Sequence, residues 1–209
     1  ANGDGTWTSN ELNPWYIENN DAIGNYHIRG NHIYDEELVE LLFDVFTYDF
    51  GNDGRVNLRE GLGEHPALYY WSTSPPAIIN EKIVVGGSVI DNLSTDIPGG
   101  VVRAFDIRSG ELSWYWDPIP PEEATIIDEN GNPLYRRGTA NVWSIISVDP
   151  DLNMVYLPTG NASPDYYGGH REGLEEYSSS IVALNADTGK LIWSFQTVHH
   201  DIWDYDVPS

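Results

Sequence analysis

The chain has 209 residues, 40% of them hydrophobic, with eight Trp and 13 Tyr: enough for one domain with a real core, and too apolar for a disordered polymer. Its formal charge is −23, from 33 acids against ten bases, and such a surface repels phosphate backbones and anionic lipid, which argues against nucleic acid and membrane surfaces as partners. No cysteine is present, so disulfides, zinc–thiolate centres and thiol nucleophiles are excluded, and no apolar run approaches the ~18 residues of a membrane span.

Residues 1–48 are poorly assigned. Within them Asp35-Glu-Glu-Leu-Val-Glu-Leu-Leu-Phe-Asp-Val-Phe reads as a short amphipathic helix, with Leu38, Leu41, Leu42 and Val45 on one side. The next stretch imitates a calcium loop through Asp49, Asp53, Gly54, Val56, Asn57 and Glu60. Gly51, however, stands where an oxygen ligand is required, and no exiting helix follows Glu60. A plain hairpin over 50–58 is the simpler expectation.

From about residue 75 strand signals dominate. Runs at 77–79, 82–89, 100–105, 142–148, 154–157 and 180–184 are β-branched or aromatic, and Gly, Pro, Asn and Asp clusters separate them. A repeat narrows the fold. Ala104-Phe-Asp106-Ile-Arg-Ser-Gly110-Glu-Leu-Ser-Trp114 matches Ala183-Leu-Asn185-Ala-Asp-Thr-Gly189-Lys-Leu-Ile-Trp193. In each copy the acid or amide is suited to bond the turn backbone, the Gly supplies a positive φ, and the Trp follows on the next strand to pack between units. A degenerate copy, Ser147-Val-Asp149-Pro-Asp-Leu-Asn153-Met-Val-Tyr156, lies between them. This spacing predicts a radial repeat of about one four-stranded blade per step.

The chemistry-bearing residues come late. His199-His-Asp201-Ile-Trp-Asp204-Tyr-Asp206 crowds three carboxylates, which repel unless a cation or solvent screens them; a solvated acidic loop and a cation site are both open. Adjacent His199 and His200 on an extended segment point to opposite faces, which disfavours a shared zinc. Asp91-Asn92 follows a glycine-bearing strand and is either a turn or a ligand pair. Asn161, after Thr159-Gly160, is either a loop residue or an oxygen ligand, and Trp143 is either core or a flat surface for a ring. Asp and Asn oxygens suit a hard ion such as calcium or magnesium.

The stretches Phe50-Gly-Asn-Asp-Gly-Arg-Val-Asn-Leu-Arg-Glu-Gly-Leu, Thr73-Ser-Pro-Pro, Val85-Gly-Gly-Ser-Val-Ile-Asp-Asn, Gly168-Gly-His-Arg and Phe195-Gln-Thr-Val-His-His-Asp-Ile-Trp-Asp carry a family resemblance. Through them, residues from about 50 to 208 resemble the PQQ-dependent dehydrogenases, most closely the membrane-bound glucose, quinate and polyol dehydrogenase branch. The resemblance implies an all-β fold, a partial β-propeller amounting to about half of an eight-bladed quinoprotein propeller with tryptophan-docking repeats. It divides the chain into 1–48, poorly assigned, and 49–209, the propeller domain. Trp143 resembles the floor on which the quinone ring stacks, and Thr73 and Ser88 resemble polar contacts to its rim. Asn161 resembles the amide ligand of the metal, Asp91 stands in the place of an acidic ligand with Asn92 beside it, and Asp204 resembles the catalytic base at the metal. Asp206 resembles the extra acid of lanthanide-using members.

The implied cofactors are PQQ and a divalent ion, calcium or magnesium, with a lanthanide as the alternative. The implied reaction is oxidation of a sugar or polyol alcohol group, with electrons passed to a quinone or cytochrome on the periplasmic side. Any membrane attachment would come through parts outside this chain. The chain reads as a fragment, expected to show little or no dehydrogenase activity alone. Thr159-Gly-Asn161 looks closer to the alcohol dehydrogenases, which leaves the substrate open. The rival from another class is a non-enzymatic propeller scaffold for protein–protein interaction. It would use the same tryptophan repeat but would have no need of Trp143, Asn161 and Asp204 together.

Overall fold

The computed structural model describes residues 56–92, 94–171 and 173–207. The segment 1–48, the expected helix at 35–46 and most of the loop beginning at Asp49 lie outside the described residues. Twelve strands are described: β1 (Tyr70–Trp71), β2 (Ala77–Ile79), β3 (Lys82–Val85), β4 (Ser88–Val89), β5 (Val102–Asp106), β6 (Leu112–Trp116), β7 (Ile126–Ile127), β8 (Pro133–Leu134), β9 (Ser147–Asp149), β10 (Met154–Pro158), β11 (Ser180–Asn185) and β12 (Leu191–Gln196). Two four-stranded antiparallel sheets, β2-β3-β5-β6 and β9-β10-β11-β12, form two blades, while β1-β4 and β7-β8 are small two-stranded additions. The all-β expectation holds: helical structure among the described residues is limited to single 3₁₀ turns at Ala67–Tyr69 and Gly168–His170.

The core lies between the blades. Ile79, Val84, Val102, Ala104, Trp114 and Trp116 from the first meet Val155, Leu157, Val182, Leu184 and Ala186 from the second, all buried. β10 shows why the sequence alternates: Val155 and Leu157 are fully buried while Met154, Tyr156 and Pro158 are only half covered, the period of a strand with one face inward. Fully burying each such aliphatic side chain contributes roughly 1.5–3 kcal/mol.

Each blade is an up-and-down meander, so its connections alternate between ends. Tight turns join β2 to β3, β5 to β6, β9 to β10 and β11 to β12, whereas long loops, 86–101 and 159–179, join β3 to β5 and β10 to β11 at the other end. The repeat motif builds the tight-turn end. Asp106 Oδ1 accepts from the backbone N–H of Arg108 (2.9 Å) and Ser109 (2.8 Å) and from Ser109 Oγ (3.2 Å). Asn185 Oδ1 does the same with Asp187 N, Thr188 N and Thr188 Oγ1 at 3.1, 3.1 and 2.9 Å. Both ladders carry a register shift at the same motif position, Ala104/Phe105 and Ala183/Leu184, a local bulge of the kind that re-aims the side chains around it. Trp114 then crosses to the second blade and donates its indole N–H to the Ala186 carbonyl at 2.8 Å. Gly189, at φ +66°, lies beneath that ring: a Cβ there would sit 2.6 Å from Trp114 Cε3. The tryptophan is the inter-blade clamp the repeat implied.

Three expectations change. The blade step runs from Asp106 to Asn185, because Asp149, which accepts from Leu152 N at 2.9 Å, turns the first hairpin of the same blade as Asn185. The apolar run 142–148 forms a strand only at Ser147–Asp149; the Asn141 carbonyl takes the Gly160 N–H (2.8 Å) and the Trp143 carbonyl takes hydroxyls from Thr73 and Ser74 (2.8 Å for Ser74), so these groups are satisfied by a loop and not by a ladder. Residues 56–58 form no second hairpin strand. The segment turns at Leu58–Gly61, where the buried Arg103 takes the carbonyls of Leu58 and Glu60.

Candidate active site at the loop end

The two long loops, the segment before β9 and the run after β12 bring most of the singled-out residues to one place. At its centre is Asp206. Its Oδ2 accepts the Trp143 indole N–H at 2.8 Å and its Oδ1 accepts the Asn161 backbone N–H at 2.7 Å. Gly160 makes this approach possible, since a Cβ there would lie 2.9 Å from Asp206 Oδ1. Trp143 is therefore held at both ends, by Asp206 on its ring nitrogen and by the Thr73 and Ser74 hydroxyls on its carbonyl.

The run 199–206 is bent into place by Asp201, which is buried at 2% exposure. Its carboxylate accepts from Ser179 Oγ (2.8 Å), Trp203 N (2.9 Å) and Tyr205 N (2.8 Å). His200, Asp204 and Asp206 sit at φ of +50°, +58° and +31°, a left-handed conformation that costs energy for residues with a Cβ and persists where surrounding bonds over-determine it. Asp204 is thereby turned toward Tyr166, whose hydroxyl donates to its Oδ2 at 3.1 Å. Of the two readings of this acidic run, the solvated loop fails for Asp201, which is a buried structural knot.

Asn161 is enclosed. Its Nδ2 donates to the carbonyls of Asp201 (2.9 Å) and Asp165 (3.3 Å), and its Oδ1 accepts from Ala162 N (3.0 Å) and from Arg171 Nη1. Arg171 is fully buried, also donates to the Asp201 carbonyl and lies 3.4 Å from Glu175. The amide oxygen assigned to the metal by resemblance thus already serves a guanidinium that has no solvent to turn to. Ser88 pairs with Trp71 across β1 and β4, and Asn92 is exposed; neither takes part in the hydrogen bonds that join the others.

Asp91 receives the Asn141 amide at 2.9 Å. Burial first, and then the charges of Asp206 and Asp204, push its carboxyl up to about 6. Beside it is a residue that sequence reasoning missed, Asp165, buried at 1% exposure. Its carboxyl lies within hydrogen-bonding reach of Asp91, and burial followed by the charges of Asp91, Asp204 and Asp206 pushes it up to about 8. Asp206 is also raised, mainly by burial and opposed by the Trp143 bond. A signal for Asp165 was present in the sequence: it lies four residues beyond Asn161, within reach of that residue's amide, and just before the Gly168-Gly-His-Arg171 motif.

Five carboxylates, an indole and two amides share the loop end of two propeller blades. Among the described residues no three Asp, Glu or His side chains converge closely enough to hold a metal by themselves, so an ion here would also need amide or cofactor oxygens. The donor set suits one: two buried oxygens beside Asp91, Oδ1 of Asp165 and Oδ1 of Asn141, have no hydrogen-bond partner.

The chain belongs to the PQQ-dependent dehydrogenase family: residues 46–209 match its glucose/ethanol/alcohol dehydrogenase β-propeller domain. It is 44% identical over 162 residues to the quinate/shikimate dehydrogenase (quinone) of Acinetobacter baylyi, covering 77% of this chain and 20% of that protein. It is likewise 44% identical over 168 residues to the quinoprotein glucose dehydrogenase of Escherichia coli, covering 77% and 20%. Among solved structures, the quinohemoprotein alcohol dehydrogenase of Comamonas testosteroni superposes with a TM-score of 0.56 at 26% identity, over 73% of this chain and 24% of that one. The chain thus spans about a fifth of the length of the curated relatives it matches. Among the described residues, no helix is long and apolar enough to cross a membrane.

Proposed function

We propose that these blades form part of a PQQ-dependent dehydrogenase that oxidises an alcohol group of a sugar or polyol. The observation that carries this reading is the clamp on Trp143: a flat indole fixed by Asp206 at 2.8 Å beside buried, incompletely satisfied oxygen donors. Trp143 would form the floor for the quinone ring, with Thr73 and Ser88 toward its rim. Asp91, Asp204 and Asp206 would face the ion, calcium or magnesium or else a lanthanide, with Asn92 and Asn161 beside them; Asn161 Oδ1 would have to release Arg171 to join. When bound, a metal-held quinone supplies the electrophile that accepts two electrons and a hydrogen from the alcohol carbon.

The chain's own part is orientation and proton handling. Asp204 Oδ2, presented at positive φ and steadied by Tyr166, takes the alcohol proton. Asp206 keeps the indole from rotating, and Asp201 holds the segment that carries both acids. The name of the quinate/shikimate relative supports a quinone as the electron acceptor; a cytochrome is the other acceptor in this reading, with the reaction on the periplasmic side.

The test is made on a polypeptide of the relatives' full length that carries this sequence, reconstituted with PQQ and each metal in turn. It is assayed with an artificial electron acceptor on glucose, quinate and ethanol. Turnover dependent on PQQ and metal is expected, falling by roughly two to four orders of magnitude in Asp204→Asn. A folded protein that binds no PQQ with any metal would sink the reading and leave the propeller scaffold in its place.

A further inference from the structure

Beside the acid that the family resemblance places at the metal, Asp91, the structure gathers two side chains that no motif of the resemblance includes. Asp165 comes from the 159–179 loop of the second blade and Asn141 from the segment leading into β9. They are exposed at 1% and 0%. Asn141 gives its Nδ2 to Asp91 at 2.9 Å, while its Oδ1 is buried with no partner. The Oδ1 of Asp165 is equally buried and equally without a donor, and its carboxyl lies against that of Asp91. Two buried oxygens, Oδ1 of Asp165 and Oδ1 of Asn141, thus belong to residues that neighbour the half-buried Asp91 and receive no protein hydrogen bond themselves.

Leaving buried oxygens without a donor is costly. Asp201 in the same loop end, equally buried, receives three donors within 2.9 Å, so the segment around the cluster is able to satisfy a buried acid. We infer that Asp165 Oδ1 and Asn141 Oδ1 are ligands of a calcium-type cation seated against Asp91. Hard oxygens from two carboxylates and an amide are the donor set such an ion takes. This deepens the proposed function by naming two ligands and rests on its metal site.

The test is cation binding without quinone, in the same full-length polypeptide. Calcium is followed by calorimetry, and terbium by emission sensitised through the Trp143 indole. Wild type is expected to bind both ions, and Asp165→Asn to weaken each by roughly tenfold or more while retaining the wild-type circular dichroism. Asn141→Ser, which withdraws the amide oxygen and leaves every carboxylate, is expected to weaken binding in the same direction and provides the readout if Asp165→Asn does not fold. Wild-type affinity in the folded variants, alongside loss of binding in Asp91→Asn, overturns the inference and leaves the metal site of the proposed function intact. Absence of binding in the wild type overturns both.

Discussion

The two ends of the blade pair are built on opposite terms. At the tight-turn end polar groups are answered by the chain itself. Asp106 and Asn185 each accept three local bonds, Trp114 reaches Ala186, and Asn80, Lys82 and Asn153 converge on Asp187. At the loop end, Asp165 and Asn141 keep buried oxygens that no hydrogen bond answers, and acidic side chains crowd one another. Local satisfaction marks the end that holds the blades together, and its absence marks the end prepared for something else.

The largest break in that comparison comes from the clamp. Trp114→Ala removes a ring that is 6% exposed, together with its bond to Ala186, and opens a cavity over Gly189. A loss of about 3–5 kcal/mol is expected in urea unfolding of the chain. Trp193 occupies the same place in the motif but is 41% exposed in this chain, and Trp193→Ala is expected to cost under ~1 kcal/mol. Equal losses at the two positions would mean that the repeat, and not its docking, carries the stability.

Asp117 sharpens the other side, as a buried acid outside that cluster. Its Oδ2 accepts from Arg136 N (3.0 Å) and Thr125 Oγ1 (3.3 Å), its Oδ1 has no partner, and burial pushes it up to about 6. A carboxyl raised in the folded state stabilises fully below its unfolded value of about 4, and that contribution is lost as pH rises through about 6. Stability is expected to fall by on the order of 3 kcal/mol from this group between about pH 4 and 7. In Asp117→Asn that part of the slope disappears. If the slope is unchanged in the variant, it comes from the loop-end cluster.

How much could be read in advance follows the same division. The tight-turn end was legible because its physics is local: an acid or amide at one position, a glycine four residues on and a tryptophan four beyond that specify turn, φ and docking within eleven residues. The blade step was misread because Asp149 uses the same turn chemistry for a different hairpin, and local chemistry does not say which turn of a blade it makes. The 142–148 run has strand composition, yet its carbonyls meet Gly160 N and the Thr73 and Ser74 hydroxyls, partners as much as seventy residues away. Trp143, Asn161, Asp204 and Asp206 stood out by residue type and resemblance, but their pairings did not: only the folded loops bring Asp206 to Trp143 and Arg171 to Asn161. Asp165 looks like any loop acid after a proline until burial singles it out.

The smallest expected effect tests whether the turn end is as local as it looks. Asn185→Ala removes three bonds to Asp187 and Thr188 that lie at the surface, so water takes up the freed N–H groups and the loss should be only about 1 kcal/mol in urea unfolding. Gly189 keeps its positive φ and its own bond to the Asn185 carbonyl at 2.9 Å, neither of which depends on the lost side chain. The indole of Trp114 should therefore remain docked, with unchanged tryptophan fluorescence in the folded state. A red-shifted emission would show that turn and clamp form one cooperative unit, and the cost of Trp114→Ala would then have to be shared between them.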